Sequence, residues 1–549
     1  MASEAAFAYH EPSVKTVLNY TGFLLVLNIA NTCLDKLLYC GLIGQLFIGV
    51  LWGTPGAKWL DRETETVIQQ IGYLGLILLI YEGGLSTSIK ALKANILLST
   101  AVALTGVCAP MGLSFILTEL VFATPLQAFS AGAALSATSL GTTFTILSTT
   151  QLTTTRLGTV TTSAAMLDDV VGLVMVQIIS NLGGNSFDAV TVIRPVFVSL
   201  GFAIGLLLLC ALCLGPVLKR LIQHKERLPN ITGTAQFAFL AQTCVLVGIV
   251  AGATYAGTSS LFAAYLAGVI VSWFDGLVAE SKVQLIVSVP AVTQADSTAQ
   301  GTTPARRDSD NVTGHPDQPE SQPQQGSHQH VTGEMVFERY YQEPNNRILL
   351  PLFFASIGFA IPITKMFTGQ IIWRGIIYAI LMAIGKMITG LWLVRFSSNP
   401  VSGLISTIKK PFIYAHSCTK PRTPKRQEKS PANSQGSNAQ TDQTPTNGPA
   451  PPQLSLPPKP KSLYPSSILG LAMVARGEVG YLIASMAESQ GIFSDGLSEG
   501  SSEIYLVIIW AISLCTLIGP ILVGTLVKRV KKLQMSRDQG ADPLGVWGI

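Results

Sequence analysis

Charge is what this sequence lacks most. Only 12% of its 549 residues are Asp, Glu, Lys or Arg, about half the usual share of roughly 25%. Apolar residues make up 48%, and mean hydropathy is +0.44. This balance excludes a disordered chain and argues against a purely soluble enzyme. The length would suit about three or four soluble domains. The apolar residues instead lie in runs of about 16–25, the length of a bilayer crossing. Thiol chemistry is missing too. There are eight cysteines, with no CxxC and no Cys/His ligand spacing. Cys33, Cys108, Cys210, Cys213, Cys244 and Cys515 lie inside apolar runs, Cys40 at the edge of one, and Cys418 in a basic loop. They are expected to be small buried hydrophobes, with no disulfide framework and no metal–thiolate site. The N-terminal MASEAAFAYHEPSVK lacks a basic n-region and a clear cleavage site, so no removable signal is expected.

The charge that is present is unevenly placed. Residues 404–464 hold nine Lys/Arg and two acids, a net of +7 against +5 for the whole chain. The basic balance therefore belongs to one loop and does not argue for nucleic acid binding. Spans are expected near 16–35, 39–54, 69–85, 95–118, 126–149, 158–181, 191–215, 232–254, 258–275, 347–363, 370–395, 465–488 and 503–528, thirteen in all. The implied division is 1–283 (spans 1–9), 284–346 (a disordered polar loop), 347–403 (spans 10–11), 404–464 (a basic Pro-rich loop), 465–530 (spans 12–13) and 531–549 (a tail). The two loops, rich in Gln, Ser, Pro and Asn, cannot bury a core.

Lys and Arg mark the cytosolic side of a membrane protein. Lys219, Arg220, Lys225 and Arg227, Lys90 and Lys93, and Lys528, Arg529, Lys531, Lys532 and Arg537 all fall on one side of a thirteen-span arrangement. That side also takes both polar insertions. The expected orientation is N-terminus outside and C-terminus in the cytosol, in the plasma membrane or an organelle membrane. The sequons at Asn230 and Asn311 would then face the cytosol and stay unglycosylated.

The informative residues are charges stranded in apolar runs. Each costs at least about 2.5–3.5 kcal/mol at a helix centre, so each is a functional candidate. In SAAMLDDVVGLVMVQII, Asp168 and Asp169 sit mid-span. Adjacent helical residues point about 100° apart, so one carboxylate can face a cavity and the other a neighbouring helix. A structural pair of protonated acids bonded to Ser or Thr is the alternative. A midplane carboxylate can hold a proton or a hard cation, but not both well, and that competition is what an exchanger needs. Lys386, in ILMAIGKMITGLWLVRF, lies too deep to snorkel comfortably. The aspartate pair is its obvious partner; the cytosolic end, Glu82 or Glu478 are alternatives.

Two further segments stand out. LSATSLGTTFTILSTT, Leu135 to Thr150, is full of Thr, Ser and Gly. It reads equally as a packing helix or as an unwound segment offering carbonyls to an ion. In LGLAMVARGEVGYLIASM, Arg476 and Glu478 flank Gly477, either as a local ion pair or at a second unwinding. The two segments are the fifth and twelfth spans, each just before another key span. Interrupted spans in matching halves favour an inverted-repeat transporter with its site at their crossing.

These pieces resemble the cation:proton antiporter superfamily, close to its second family, the bacterial sodium/proton and Kef-type exchangers and their fungal and animal relatives. GLIGQLFIGVLWGTP, IGYLGLILLIYEGGLSTSI, SATSLGTTF, AAMLDDVVGL, SSLFAAYLAGVIVS, PLFFASIGFAI, IGKMITG and ARGEVG occur in the family's order. The likeness implies an all-α polytopic membrane protein of about 13 transmembrane helices, with inverted repeats and two broken crossing helices. It implies an antiporter, not an enzyme, needing no cofactor. Asp169 would be the main ion- and proton-binding group, Asp168 the partner aspartate and Lys386 its salt-bridge partner. Thr138, Ser139 and Thr142 would stand at the first unwound crossing, and Arg476 and Glu478 at the second. Ser139 replaces an acid found in some relatives. Paired aspartates favour electrogenic exchange of Na⁺, Li⁺ or K⁺ for protons, in a homodimer within the lipid bilayer. A channel-like K⁺ efflux system on the same scaffold and a non-transporting sensor remain alternatives.

Overall fold

The computed structural model describes residues 11–38, 40–87, 89–139, 141–143, 147, 151–183, 189–217, 220, 234–287, 332–394, 463–494, 502–536, 544 and 547–548. Residues 288–331 and 395–462, which hold most of the two polar insertions with Asn311 and Cys418, lie outside them. So do Lys219, Lys225, Arg227, Asn230, Arg537, Leu140, 144–146 and 148–150.

Among the described residues every regular element is a helix. Main elements are α1 (Val14–Leu38), α2 (Gly41–Trp52), α3 (Arg62–Leu85), α4 (Ile89–Ser114), α5 (Pro125–Ser136), α6 (Arg156–Leu182) and α7 (Ala189–Leu209). They continue with α8 (Ala235–Ala256), α9 (Ser260–Val287), α10 (Leu350–Phe359), α11 (Gly369–Met387), α12 (Tyr464–Ala472), α13 (Glu478–Ser489) and α14 (Glu503–Ser536). Nine helices among the described residues are long and apolar enough to cross a membrane. The four other expected spans are the shorter α2, the interrupted α5, the segment ending in α10, and the pair α12–α13. Length and composition do not by themselves establish a count of thirteen.

Two boundaries differ from expectation. The polar stretch placed at 284–346 is helical at both ends: α9 runs to Val287, and wide helical turns lead from Gly333 into α10. Glu334, Glu338, Arg339, Glu343 and Arg347 interrupt the apolar run there and hide the helix from a hydropathy reading. Its inward face is nonetheless apolar, with Val336 and Phe337 buried. Asp275 of α9 accepts the Gly333 N–H at 2.6 Å and fastens the returning chain. The tail placed at 531–549 is helical as far as Ser536, the end of α14.

The cysteines also need correction. Cys40, Cys210 and Cys515 are buried, but Cys33, Cys108, Cys213 and Cys244 are exposed. An apolar run need not be interior, because a membrane helix is apolar on its outer face as well. All seven are free thiols.

The helices pack in two groups. One joins α1, α2, α3, α8, α9 and α10; the other joins α4, α5, α6, α11, α12, α13 and α14, with α7 against α6. In the first, α3 and α9 touch backbone to backbone. A Cβ on Gly84 would lie 2.2 Å from the Tyr265 carbonyl, and one on Gly268 would lie 2.3 Å from that of Tyr81. Only glycine permits that approach. In the second group, α5 opens with a capping box: Thr124 Oγ1 accepts the Gln127 N–H and the Gln127 side chain accepts that of Thr124. Thr155 caps α6 by accepting from Gly158 at 3.1 Å.

Candidate functional site

Two helices of the second group break where the sequence placed its unusual segments. Helix α5 stops at Ser136; Ala137 is extended (φ −63°, ψ 138°), and helical turns resume at 141–143. Helix α12 stops at Ala472, and α13 starts at Glu478 after an extended Gly477 (φ −155°, ψ −146°). The breaks cross. The Ser139 N–H donates to the Ala475 carbonyl at 3.0 Å. Gly477 is needed for the approach, because a Cβ there would lie 2.6 Å from Ser139 Cβ.

A broken helix leaves backbone groups without partners, and burial makes each one costly. Here each segment satisfies the other. Arg476 Nη1 donates to the carbonyls of Ser136 and Ala137 at 3.1 and 3.0 Å. A cation at the C-terminal end of α5 also matches the helix dipole. Thr143 Oγ1 donates to the Ala472 carbonyl at 3.2 Å. Glu478, the first residue of α13, places its carboxylate at the end of that helix which favours an anion. Its Oε2 accepts from Ser139 Oγ at 3.3 Å. Ser139 Oγ lies 2.9 Å from Thr142 Oγ1 and accepts the Thr142 N–H at 3.3 Å. Arg476 and Glu478 thus turn to different partners and do not form the local ion pair held open as an alternative.

Helix α6 brings its two aspartates to this crossing. Asp168 is fully buried, and its Oδ2 lies 2.6 Å from Lys386 Nζ, itself fully buried on α11. Thr138 completes a triangle. Its hydroxyl accepts from Lys386 Nζ at 2.8 Å and donates to Asp168 Oδ2, with the Met473 carbonyl a longer acceptor at 3.4 Å. Lys386 therefore pairs with Asp168, and not with Glu82 or Glu478. Asp169 is 5% exposed; Glu478, Asp168 and Lys386 lie within its electrostatic range. Asp168 Oδ1 and Asp169 Oδ1 are both buried without a hydrogen-bond partner among the described residues. An all-oxygen donor set of carboxylates and hydroxyls suits a hard cation and offers nothing to a soft one.

The structure gathers Thr138, Ser139, Thr142, Asp168, Asp169, Lys386, Arg476 and Glu478 around one crossing. The sequence reading missed Thr143 and the carbonyls of Ala472, Met473 and Ala475. A carbonyl has no sequence signature, and Thr143 stood unremarked within the Thr-rich run.

Residues 23–289 match the family described as "Sodium/hydrogen exchanger, transmembrane". Over that stretch, just under half of its length, the chain is similar to sodium/hydrogen exchangers. It is 30% identical over 171 residues to the high-affinity Na⁺/H⁺ antiporter NhaS3 of Synechocystis, covering 31% of this chain and 37% of that one. It is 30% identical over 145 residues to a Na⁺/H⁺ antiporter of Enterococcus hirae, covering 26% of this chain and 37% of that one. The matched region thus spans little more than a third of either relative's length. The likeness in fold extends further. The sodium proton antiporter MjNhaP1 of Methanocaldococcus jannaschii, in a structure at pH 8, superposes with a TM-score of 0.52 at 13% identity. The superposition covers 94% of this chain and 99% of that one.

Proposed function

We propose that the chain is a secondary active antiporter exchanging a monovalent cation, Na⁺ with Li⁺ or K⁺ as alternatives, for protons. The observation that carries this reading is the pair of free carboxylate oxygens, Asp168 Oδ1 and Asp169 Oδ1, buried where the two broken helices cross. In the proposed cycle the cation binds Asp169, with Asp168 in support, and displaces a proton. Lys386 competes with the cation for the charge of Asp168 and lets go when the ion binds. The second packing group, which carries both breaks, then moves against the first and opens the site to the other side. A proton displaces the cation, and the cycle reverses.

Pairing of two aspartates with one lysine supports an electrogenic stoichiometry, since the site can take up more than one charge per cation. The exposed apolar faces of α7 and α8, including Phe197, Leu207, Leu240 and Val247, suit lipid or a second copy of the chain, and a homodimer is the proposed assembly. The Lys/Arg distribution supports an N-terminus outside and a C-terminus in the cytosol, with the insertions around 288–331 and 395–462 on the cytosolic side. The test is proton flux in proteoliposomes with Na⁺, Li⁺ and K⁺ in turn, with and without an imposed voltage. Flux driven by one cation and steered by voltage is the expected result. Currents uncoupled from a pH gradient, or no flux with any cation, would overturn the reading.

A further inference from the structure

Leu544, Trp547 and Gly548 lie against the helices. Leu544 is 2% exposed and belongs to an apolar cluster built from α4, α6, α12 and α14. The Trp547 ring lies over the guanidinium of Arg156, 5.0 Å from carbon to centroid. The Trp547 N–H donates to the Leu544 carbonyl at 3.1 Å. Arg156 is the first residue of α6, where the helix dipole disfavours a cation. The face of an indole ring supplies the compensation that position needs.

The seat has two further marks of a built site. Gln151 beside it holds φ at +57°, a conformation that costs a residue with a Cβ and persists only where its surroundings impose it. Gln151, Thr155, Val527 and Lys531 line a cavity of about 230 Å³ together with Leu544 and Gly548. The seat also connects to the crossing. The cluster that takes Leu544 includes Leu157, Val160 and Ala165 of α6, and Met473 in the second break. Ala165 lies one helical turn before Asp169, and the Met473 carbonyl faces Thr138 Oγ1 at 3.4 Å.

We propose that Leu544 and Trp547 form a docked brace. The two side chains anchor at the start of α6, and through the shared cluster they hold the aspartates in register with the second break. The brace is a positioning element that touches no transported ion. Because two side chains supply most of the anchorage, it can be released and replaced, which makes the seat a point of control. Its occupant is this chain's own segment, a short apolar peptide with Leu and Trp three residues apart.

The experiment removes and returns the brace. A chain ending at Ser536 is expected to show faster amide hydrogen exchange over 157–165 and a several-fold higher cation concentration for half-maximal proton flux. A synthetic peptide of residues 541–549 is expected to bind it, by fluorescence anisotropy, and to restore both properties. The same peptide carrying Trp547→Ala is expected to do neither. Trp547→Ala in the full chain is the milder variant and should reproduce both changes in part. Unchanged exchange over 157–165, or a shortened chain that fails to bind the peptide, would overturn the brace. Peptide binding and faster exchange with an unaltered cation dependence would overturn its positioning role. The flux readout rests on the antiport reading. If the intact chain moves no protons, that reading fails, while exchange and peptide binding still decide the brace.

Discussion

Ser139 and Ala475 are joined by one backbone hydrogen bond, 3.0 Å from N–H to carbonyl, across the point where two helices break. These residues are 336 positions apart in the sequence. With the bonds from Arg476 to Ser136 and Ala137 and from Thr143 to Ala472, that bond fixes the register of the crossing, and the aspartates and the lysine take their places around it.

The tightness of this contact gives the first prediction. Gly477→Ala places a Cβ 2.6 Å from Ser139 Cβ, and overpacking of this kind costs about 1–3 kcal/mol. The melting temperature in detergent should fall accordingly. Ser139→Gly removes the opposing atom, so the double variant should recover part of the loss, seen as a coupling between the two changes. Additive effects would show that the close approach does not set the cost.

Asp169→Asn should abolish cation-driven proton flux in proteoliposomes. The amide cannot titrate or offer a charged oxygen, yet it matches the carboxylate in volume. Asp169 Oδ1 has no protein partner among the described residues, so the melting temperature should stay near that of the parent. Full flux with this variant would overturn the role given to Asp169.

Lys386→Met leaves Asp168 buried beside Thr138 with no counter-charge. Removing one member of a buried pair costs about 3–5 kcal/mol, so the variant should melt well below the parent. Adding Asp168→Asn removes the stranded charge, and the double variant should regain most of the stability. Proton flux in Lys386→Ala should also lose its voltage dependence. Unchanged voltage dependence would count against competition between the lysine and the cation.

Arg476→Ala would leave the Ser136 and Ala137 carbonyls without their donor. An unsatisfied buried group costs about 1–3 kcal/mol. Arg476→Lys keeps the charge near the end of α5, but its ammonium lacks the rigid planar group that sets Nη1 between the Ser136 and Ala137 carbonyls. Thermal unfolding should therefore rank the parent above Arg476→Lys, and Arg476→Lys above Arg476→Ala.

Much of the fold and the site was legible in the sequence. Asp168, Asp169 and Lys386 stood out because an ionisable group inside a long apolar run is expensive. The two breaks were visible as Thr- and Gly-rich interruptions of apolar spans. The helical turns from Gly333 to α10 were not visible, because their outward charges hide a buried face formed by Val336 and Phe337. The outward-facing cysteines were misplaced because hydropathy does not separate the lipid side of a helix from its protein side.

By itself the sequence determined that this chain lives in a membrane, roughly where its helices run, and which charges lie at a cost inside its apolar runs. Those properties follow from the local cost of placing each residue type in an apolar medium. Only the tertiary structure decided who meets whom: Lys386 with Asp168 and Thr138, Arg476 with the end of α5, Glu478 with Ser139, and Trp547 with Arg156. Each of these contacts joins groups far apart in the chain. Backbone carbonyls, which no side-chain pattern announces, provide several of the partners. A hydrogen bond or ion pair exists only when distance and direction are both met, and packing alone sets those.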